Sequence, residues 1–158
     1  MSWQNIYQSR VTTADEAVKA IHSGNRLFLT GNVSVPKTVL AALVRRAPEL
    51  HDVEICQALT VGPADYVSPA MEGHLRVNTM FISANVRKAV NEGRADFTPI
   101  FLHEIPGLFR KGIVPLDVAF VHCSPPDEHG FCSFGIEVGL TKPAAESARV
   151  VIAEVNDR

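Results

Sequence analysis

The sequence predicts an open α/β fold, a mostly parallel sheet with helices flanking it. Three observations point that way. Short runs rich in Val, Ile, Leu and Phe recur along the chain, separated by segments of helical spacing. Glycine or proline marks most of the boundaries between them. The 158 residues are 46% hydrophobic and 20% charged, enough apolar content for one ordinary core, so residues 1–158 are read as a single domain. Right-handed crossovers between parallel strands then place helices on both faces.

Trp3, Ile6 and Tyr7 form a short apolar arm expected to dock on the domain. Thr13 and Glu16 fit a capping box, opening a helix to about His22 that buries Ala17, Val18 and Ile21 and ends at Ser23-Gly24. Residues 26–30 read as the first strand. Gly31 to Val35 then connect to a helix with Pro36 at its first position. An apolar stripe of Val39, Leu40, Leu43 and Val44 follows, ending before Pro48. Residues 53–59 form the second strand and 60–74 a loop. The third strand covers 77–83, and a helix over 86–92 closes at Gly93. Residues 98–102 read as a fourth strand, 106–111 as a helical turn closed by Gly112, and 117–123 as a fifth strand. Ser124-Pro-Pro126 stops that strand, because proline cannot donate to a ladder. After the polar turn Asp127 to Gly130, residues 131–138 read as a sixth strand. Pro143 opens a helix through Ser147, and residues 150–155 are the last strand. That strand is apolar enough to expect neighbours on both sides, as if the chain were cut from a longer one.

The net charge of −2 argues against nucleic acid as a partner. No apolar run approaches the roughly 20 residues of a membrane helix. The first residues resemble no secretory leader, and three cysteines is an odd number. Together these suggest reduced thiols in a cytoplasmic protein. Cys123, His129 and Cys132 match no structural zinc spacing, and Cys123 and Cys132 fall on predicted strands, where cysteine acts as a small hydrophobe. There is no G-x-S-x-G nucleophile elbow and no complete G-x-G-x-x-G fingerprint. Arg45-Arg46 reads as a surface pair at a helix end, and Arg94 as a surface anchor at most.

Polar or proline-bounded loops follow several predicted strands: 31–36, 83–85, 103–106 and 124–130. In a parallel sheet they converge on one edge, where open α/β folds bind ligands. Glu104 and Asn85 hold this strand-end position. The result is a pocket for a small acid or carbonyl compound, without an obvious nucleophile.

Ser124-Pro-Pro-Asp-Glu-His-Gly-Phe-Cys-Ser-Phe-Gly135 resembles the S-P-P-D-x-H-G-[YF]-x-S-x-G signature of the acetyl-CoA hydrolase/transferase family, in particular its 4-hydroxybutyrate CoA-transferases. Asn91-Glu-Gly-Arg-Ala-Asp-Phe-Thr-Pro99, Glu104-Ile-Pro, Thr141-Lys-Pro-Ala-Ala-Glu146 and Ala153-Glu-Val-Asn156 agree in order and spacing. The resemblance implies the N-terminal domain of a longer, two-domain enzyme that is a homo-oligomer when full length. It moves CoA from an acyl-CoA to a free carboxylate. Coenzyme A is then a substrate, and no cofactor is bound permanently. A glutamate in the C-terminal domain acts as nucleophile, suited because a carboxylate both attacks and leaves. No glutamate here lies in the matching motif, so no catalytic residue is assigned and the domain alone is expected to be inactive. It would supply a wall of the acyl pocket: Gly31, Asn32, Val33 and Pro36, whose helix start would face the substrate carboxylate, with Asn85, Glu104, Pro125, Asp127 and Gly130. The alternatives are a non-catalytic binding or assembly module paired with a separate subunit, and an acyl-CoA thioester hydrolase using water or a local thiol, Cys123 or Cys132 with His129.

Overall fold

A computed structural model describes residues 2–157. Among them run six strands: β1 (Arg26–Leu29), β2 (Val53–Gln57), β3 (Leu75–Thr79), β4 (Asp96–Phe97), β5 (Val118–Cys123) and β6 (Val150–Val155). They pair in parallel in the order β4-β3-β2-β1-β5-β6. The helices are α1 (Trp3–Arg10), α2 (Ala14–Ala17), α3 (Lys37–Arg46), α4 (Ala84–Asn91), α5 (Ile105–Arg110) and α6 (Thr141–Ser147).

Side chains alternate across a strand, so β1 feeds two cores. Leu27 and Leu29 point to one face, where Val39, Leu40 and Leu43 of α3 and Val86 and Ala89 of α4 cover the sheet with Val53, Ile55, Val77 and Phe120. Phe28 points to the other, with Cys56, Ala119 and Val121, under Ile105 and Phe109 of α5 and Ala144 of α6. Phe28 and Phe109 meet edge-to-face with centroids 5.4 Å apart, a favoured aromatic geometry. The α3 stripe at i, i+3 and i+4 is therefore the contact surface that the spacing predicts.

Several elements differ from expectation. The N-terminal arm is a helix, α1, whose N-cap Ser2 accepts a hydrogen bond from the Asn5 amide. Thr13 caps the helix as expected, accepting from the Glu16 amide, but the Glu16 carboxylate pairs with Lys19 instead of completing the box, and the helix soon tightens to a 3₁₀ turn over Val18–Ala20. α3 ends at Arg46, before Pro48 as expected, and a separate 3₁₀ turn, Ala47–Glu49, follows it. Proline fits an N-terminal position of that turn, where its missing N–H is not needed. The third strand lies earlier than 77–83, because Gly73 at φ 79° finishes the preceding turn and lets pairing begin at Leu75.

Residues 98–102 are not a strand. Pairing on β3 ends at Phe97, and Phe101 and Leu102 are exposed. Residues 131–138 are not a strand either. This segment turns back on the end of β5, with the Ser124 amide donating to Ser133 O at 2.9 Å and the Asp127 amide to Phe131 O at 2.9 Å. Gly135 at φ 65° then bends it away from any sheet pairing. Cys132 is consequently exposed rather than buried on a strand. The last strand has one neighbour, β5, and is an edge among the described residues, with Val150, Val151 and Val155 partly open. Arg46 is no free surface group: its guanidinium binds the carbonyls of Val18 and Ile21. Arg94 is likewise held by Val67 O and Glu92.

Candidate functional site

β1 lies at the centre of the sheet. The chain lays β2, β3 and β4 to one side of it and β5 and β6 to the other. The strand order reverses between β1 and β5, and open α/β sheets bind ligands at such a switch point, beyond the carboxyl ends of the strands. Here the two flanking loops are Gly31 to Pro36 after β1 and the Ser124–Leu140 excursion after β5.

The first loop is tightly built. A Cβ on Gly31 would lie inside contact distance of the Ala58 carbonyl oxygen, so only glycine lets the chains after β1 and β2 pass. Asn32 follows with φ 51°, a left-handed conformation that asparagine tolerates better than most residues. Its amide donates to Leu59 O at 2.6 Å, and its carbonyl accepts from the Val61 amide at 3.1 Å. Leu59 is also left-handed, at φ 48°. Val33 projects outward, 61% exposed, and Pro36 precedes α3.

The helix start is not open to a substrate. The amides of Thr38 and Val39 donate to Glu154 Oε2 at 2.8 and 3.0 Å, and the Thr38 hydroxyl donates to Oε1 at 3.2 Å. A carboxylate does occupy this positive helix end, as electrostatics favours, but it comes from β6. The expectation that these amides face a ligand is corrected accordingly.

The loop after β5 organises itself around Asp127. Its Oδ1 accepts from the amides of His129 and Phe131, each at 2.9 Å. The Ser124 hydroxyl accepts from the Ser133 amide at 3.0 Å. Gly130, at φ 87°, offers its bare face to the Trp3 ring, where an added Cβ would meet Cγ at 3.0 Å. Trp3 of α1 thus seats against the signature loop. Pro125 is exposed at its rim. Two contacts then join the loops across the crevice: the hydroxyls of Thr30 and Thr141 hydrogen-bond, and Asn32 Nδ2 donates to Glu137 Oε2.

Asn85 belongs to a buried polar cluster beneath the loop after β2. Tyr66 OH donates to Gln57 Oε1 at 2.9 Å, and Gln57 Nε2 donates to the Thr60 hydroxyl at 3.2 Å. The Ser83 hydroxyl donates to Asn85 Oδ1 at 2.5 Å, while Asn85 Nδ2 donates to Gly62 O at 3.0 Å. Asn85 therefore holds the 60–62 turn in place. Glu104 does not end a strand; it is exposed in a 3₁₀ turn, Leu102–Glu104, ahead of α5.

Cys123 lies buried at the end of β5. Burial, with the Cys132 thiol beside it, pushes its thiol up to about 11. Such a thiol is protonated at neutral pH and is a poor nucleophile. The His129 ring lies out in solvent, 3.5 Å from Glu128. Among the described residues no cluster of His, Cys, Asp and Glu is arranged to hold a metal ion, and no helix is long and apolar enough to cross a membrane.

Around the crevice the strand-end loops expose Val33, Leu59, Val61, Phe81, Phe131, Ile136 and Val138. An apolar recess of about 370 Å³ lies along α3, lined by Leu40, Val44, Val61 and Tyr66. Sequence reasoning missed Glu137 and Glu154. Both are partners of residues over a hundred positions away, and nothing in local spacing signals such a pairing.

The chain is 42% identical over 156 residues to 4-hydroxybutyrate coenzyme A transferase of Clostridium kluyveri, covering 99% of this chain and 36% of the relative. It is 40% identical over 149 residues to a succinyl-CoA:acetate/propanoyl-CoA:succinate CoA transferase of Fasciola hepatica, covering 93% and 31%. The crystal structure of a 4-hydroxybutyrate CoA-transferase from Porphyromonas gingivalis superposes with a TM-score of 0.80 at 35% identity, over 98% of this chain and 35% of that one. The chain spans about a third of the length of these proteins. All 158 residues match the acetyl-CoA hydrolase/transferase N-terminal domain, and the chain belongs to that family.

Proposed function

We propose that this domain forms one wall of the acyl site of a CoA-transferase that moves CoA between an acyl-CoA and a free carboxylate. 4-Hydroxybutyryl-, butyryl- and acetyl-CoA are the proposed donors. The observation that carries the reading is the set of exposed apolar side chains on the strand-end loops around the crevice. Such a surface suits an acyl chain and a covering domain better than solvent. Gly31, Asn32 and Val33 line the β1 side. Pro125 rims the other side, on a loop that Asp127 and Gly130 hold in shape. Pro36, Asn85 and Glu104 support the edge.

The reaction proceeds on a glutamate of the C-terminal domain. Its carboxylate attacks the thioester carbonyl and CoA leaves as thiolate, giving a mixed anhydride. The thiolate then attacks the glutamyl carbonyl, releasing the first acid and forming a glutamyl-CoA thioester. The second acid reverses these steps. This domain shapes the acyl side and excludes water, which would hydrolyse the anhydride. Coenzyme A is a substrate and no resident cofactor is invoked. We place the enzyme in the cytoplasm, with its thiols reduced, and as a homo-oligomer.

The test compares the full-length protein with residues 1–158 in acetate-dependent release of acetyl-CoA from butyryl-CoA and 4-hydroxybutyryl-CoA. The full-length protein should turn over at roughly 1 per second or faster, and residues 1–158 should not. Turnover by the short chain would favour the hydrolase or another local mechanism. A silent full-length protein that copurifies with a second subunit would favour the assembly module.

A further inference from the structure

We infer that Glu137 is a specificity-determining residue, selecting acyl groups with an uncharged tail over those carrying a second carboxylate. The inference rests on the CoA-transferase reading above and names the class of acid which that site accepts.

Glu137 is placed by a rigid partner. Asn32 Nδ2 donates to Oε2, and Asn32 itself has little freedom. It is left-handed at φ 51°, pinned by Leu59 O and the Val61 amide, and preceded by Gly31, which has no room to shift toward the Ala58 carbonyl. The second carboxylate oxygen, Oε1, has no hydrogen-bond partner among the described residues, and no Lys or Arg there pairs with the group. Its sequence neighbours Ile136 and Val138, like Val33 beside Asn32, are exposed apolar side chains. A single acid is therefore fixed at the switch-point crevice, among apolar groups and without a neutralising cation.

Within such a crevice an alkyl tail packs on Val33, Ile136 and Val138, and a hydroxyl can donate to the open Oε1. A second substrate carboxylate instead meets a like charge, and once a second domain covers the crevice and excludes water that repulsion rejects it. Overall similarity does not make this choice. The relatives named for 4-hydroxybutyrate and for succinyl-CoA are 42% and 40% identical to this chain. A charge at the site can make it.

The experiment uses the full-length protein, with acetyl-CoA as donor and butyrate, 4-hydroxybutyrate and succinate as acceptors. The wild type should favour butyrate and 4-hydroxybutyrate over succinate by roughly tenfold or more in kcat/KM. Glu137→Gln keeps an acceptor for Asn32 and removes the charge, so the succinate-to-butyrate ratio should rise by about tenfold; Glu137→Ala should move it the same way. Equal use of the three acids by the wild type overturns the inference without needing a variant. A ratio unchanged in both folded variants also overturns it, leaving the transferase reading intact. No transfer to any acid removes that reading and this inference together.

Discussion

Gly31 is the position where one atom matters most. Its missing side chain lets the backbone after β1 pass the Ala58 carbonyl. Gly31→Ala should destabilise the domain by about 2–3 kcal/mol through overpacking against backbone that cannot yield, read as a lowered melting temperature. An unchanged melt would show that the two loops can separate. Gly130 is similar in kind but softer, since it meets a side chain, Trp3. Trp3 is the one tryptophan in the sequence, so its fluorescence reports this contact alone. Gly130→Ala should strain the φ 87° turn, displace the ring and shift emission to the red. The thiols divide by environment. Burial holds Cys123 up to about 11 and, aided by the charge of Glu54, raises Cys56 well above the ordinary thiol range. At pH 8 iodoacetamide should label exposed Cys132 first, Cys123 slowly, and Cys56 only after unfolding, as peptide mass spectrometry would show. A raised thiol pKa contributes stability in full below the ordinary value of 9.0, and for Cys123 the contribution is lost as pH rises through about 11.

At the scale of elements, the sequence made α3 and the central strands legible because their signals are local. The stripe Val39, Leu40 and Leu43 has helical period and faces the core. The runs in β1, β2 and β5 are buried on both faces, so they read as continuous apolar segments. The misread elements are those where apolar composition does not mean burial. Phe131 and Ile136 look like strand residues but are 73% and 76% exposed. Phe101 and Leu102 behave likewise. These residues follow strand ends, where exposed apolar side chains carry the same letters as a core. The candidate site was legible in the same uneven way. The glycine, the prolines and the Asp127 turn announce loops, whereas the Asn32–Glu137 and Thr30–Thr141 contacts depend on which strands become neighbours.

For the molecule as a whole, the order β4-β3-β2-β1-β5-β6 puts the first strand made in the middle. β1 gains its second neighbour only when β5 arrives, and β6 then fastens to α3 through Glu154, 116 residues after Thr38. That fastening has a temporal meaning. On the ribosome, helix α3 is synthesised early but its first turn stays uncapped until residue 154 has left the exit tunnel. Closing so long a loop is entropically slow, so the cap should form after the folding transition state. Glu154→Gln should then lower stability by about 1 kcal/mol and appear almost wholly as faster unfolding, with a φ-value near zero in chevron measurements. A φ-value near one would instead make the junction of α3 and β6 part of the nucleus. On the expected result, Glu154 acts as a latch on a nearly finished domain: a nascent chain stalled short of it keeps α3 loose and open to proteases.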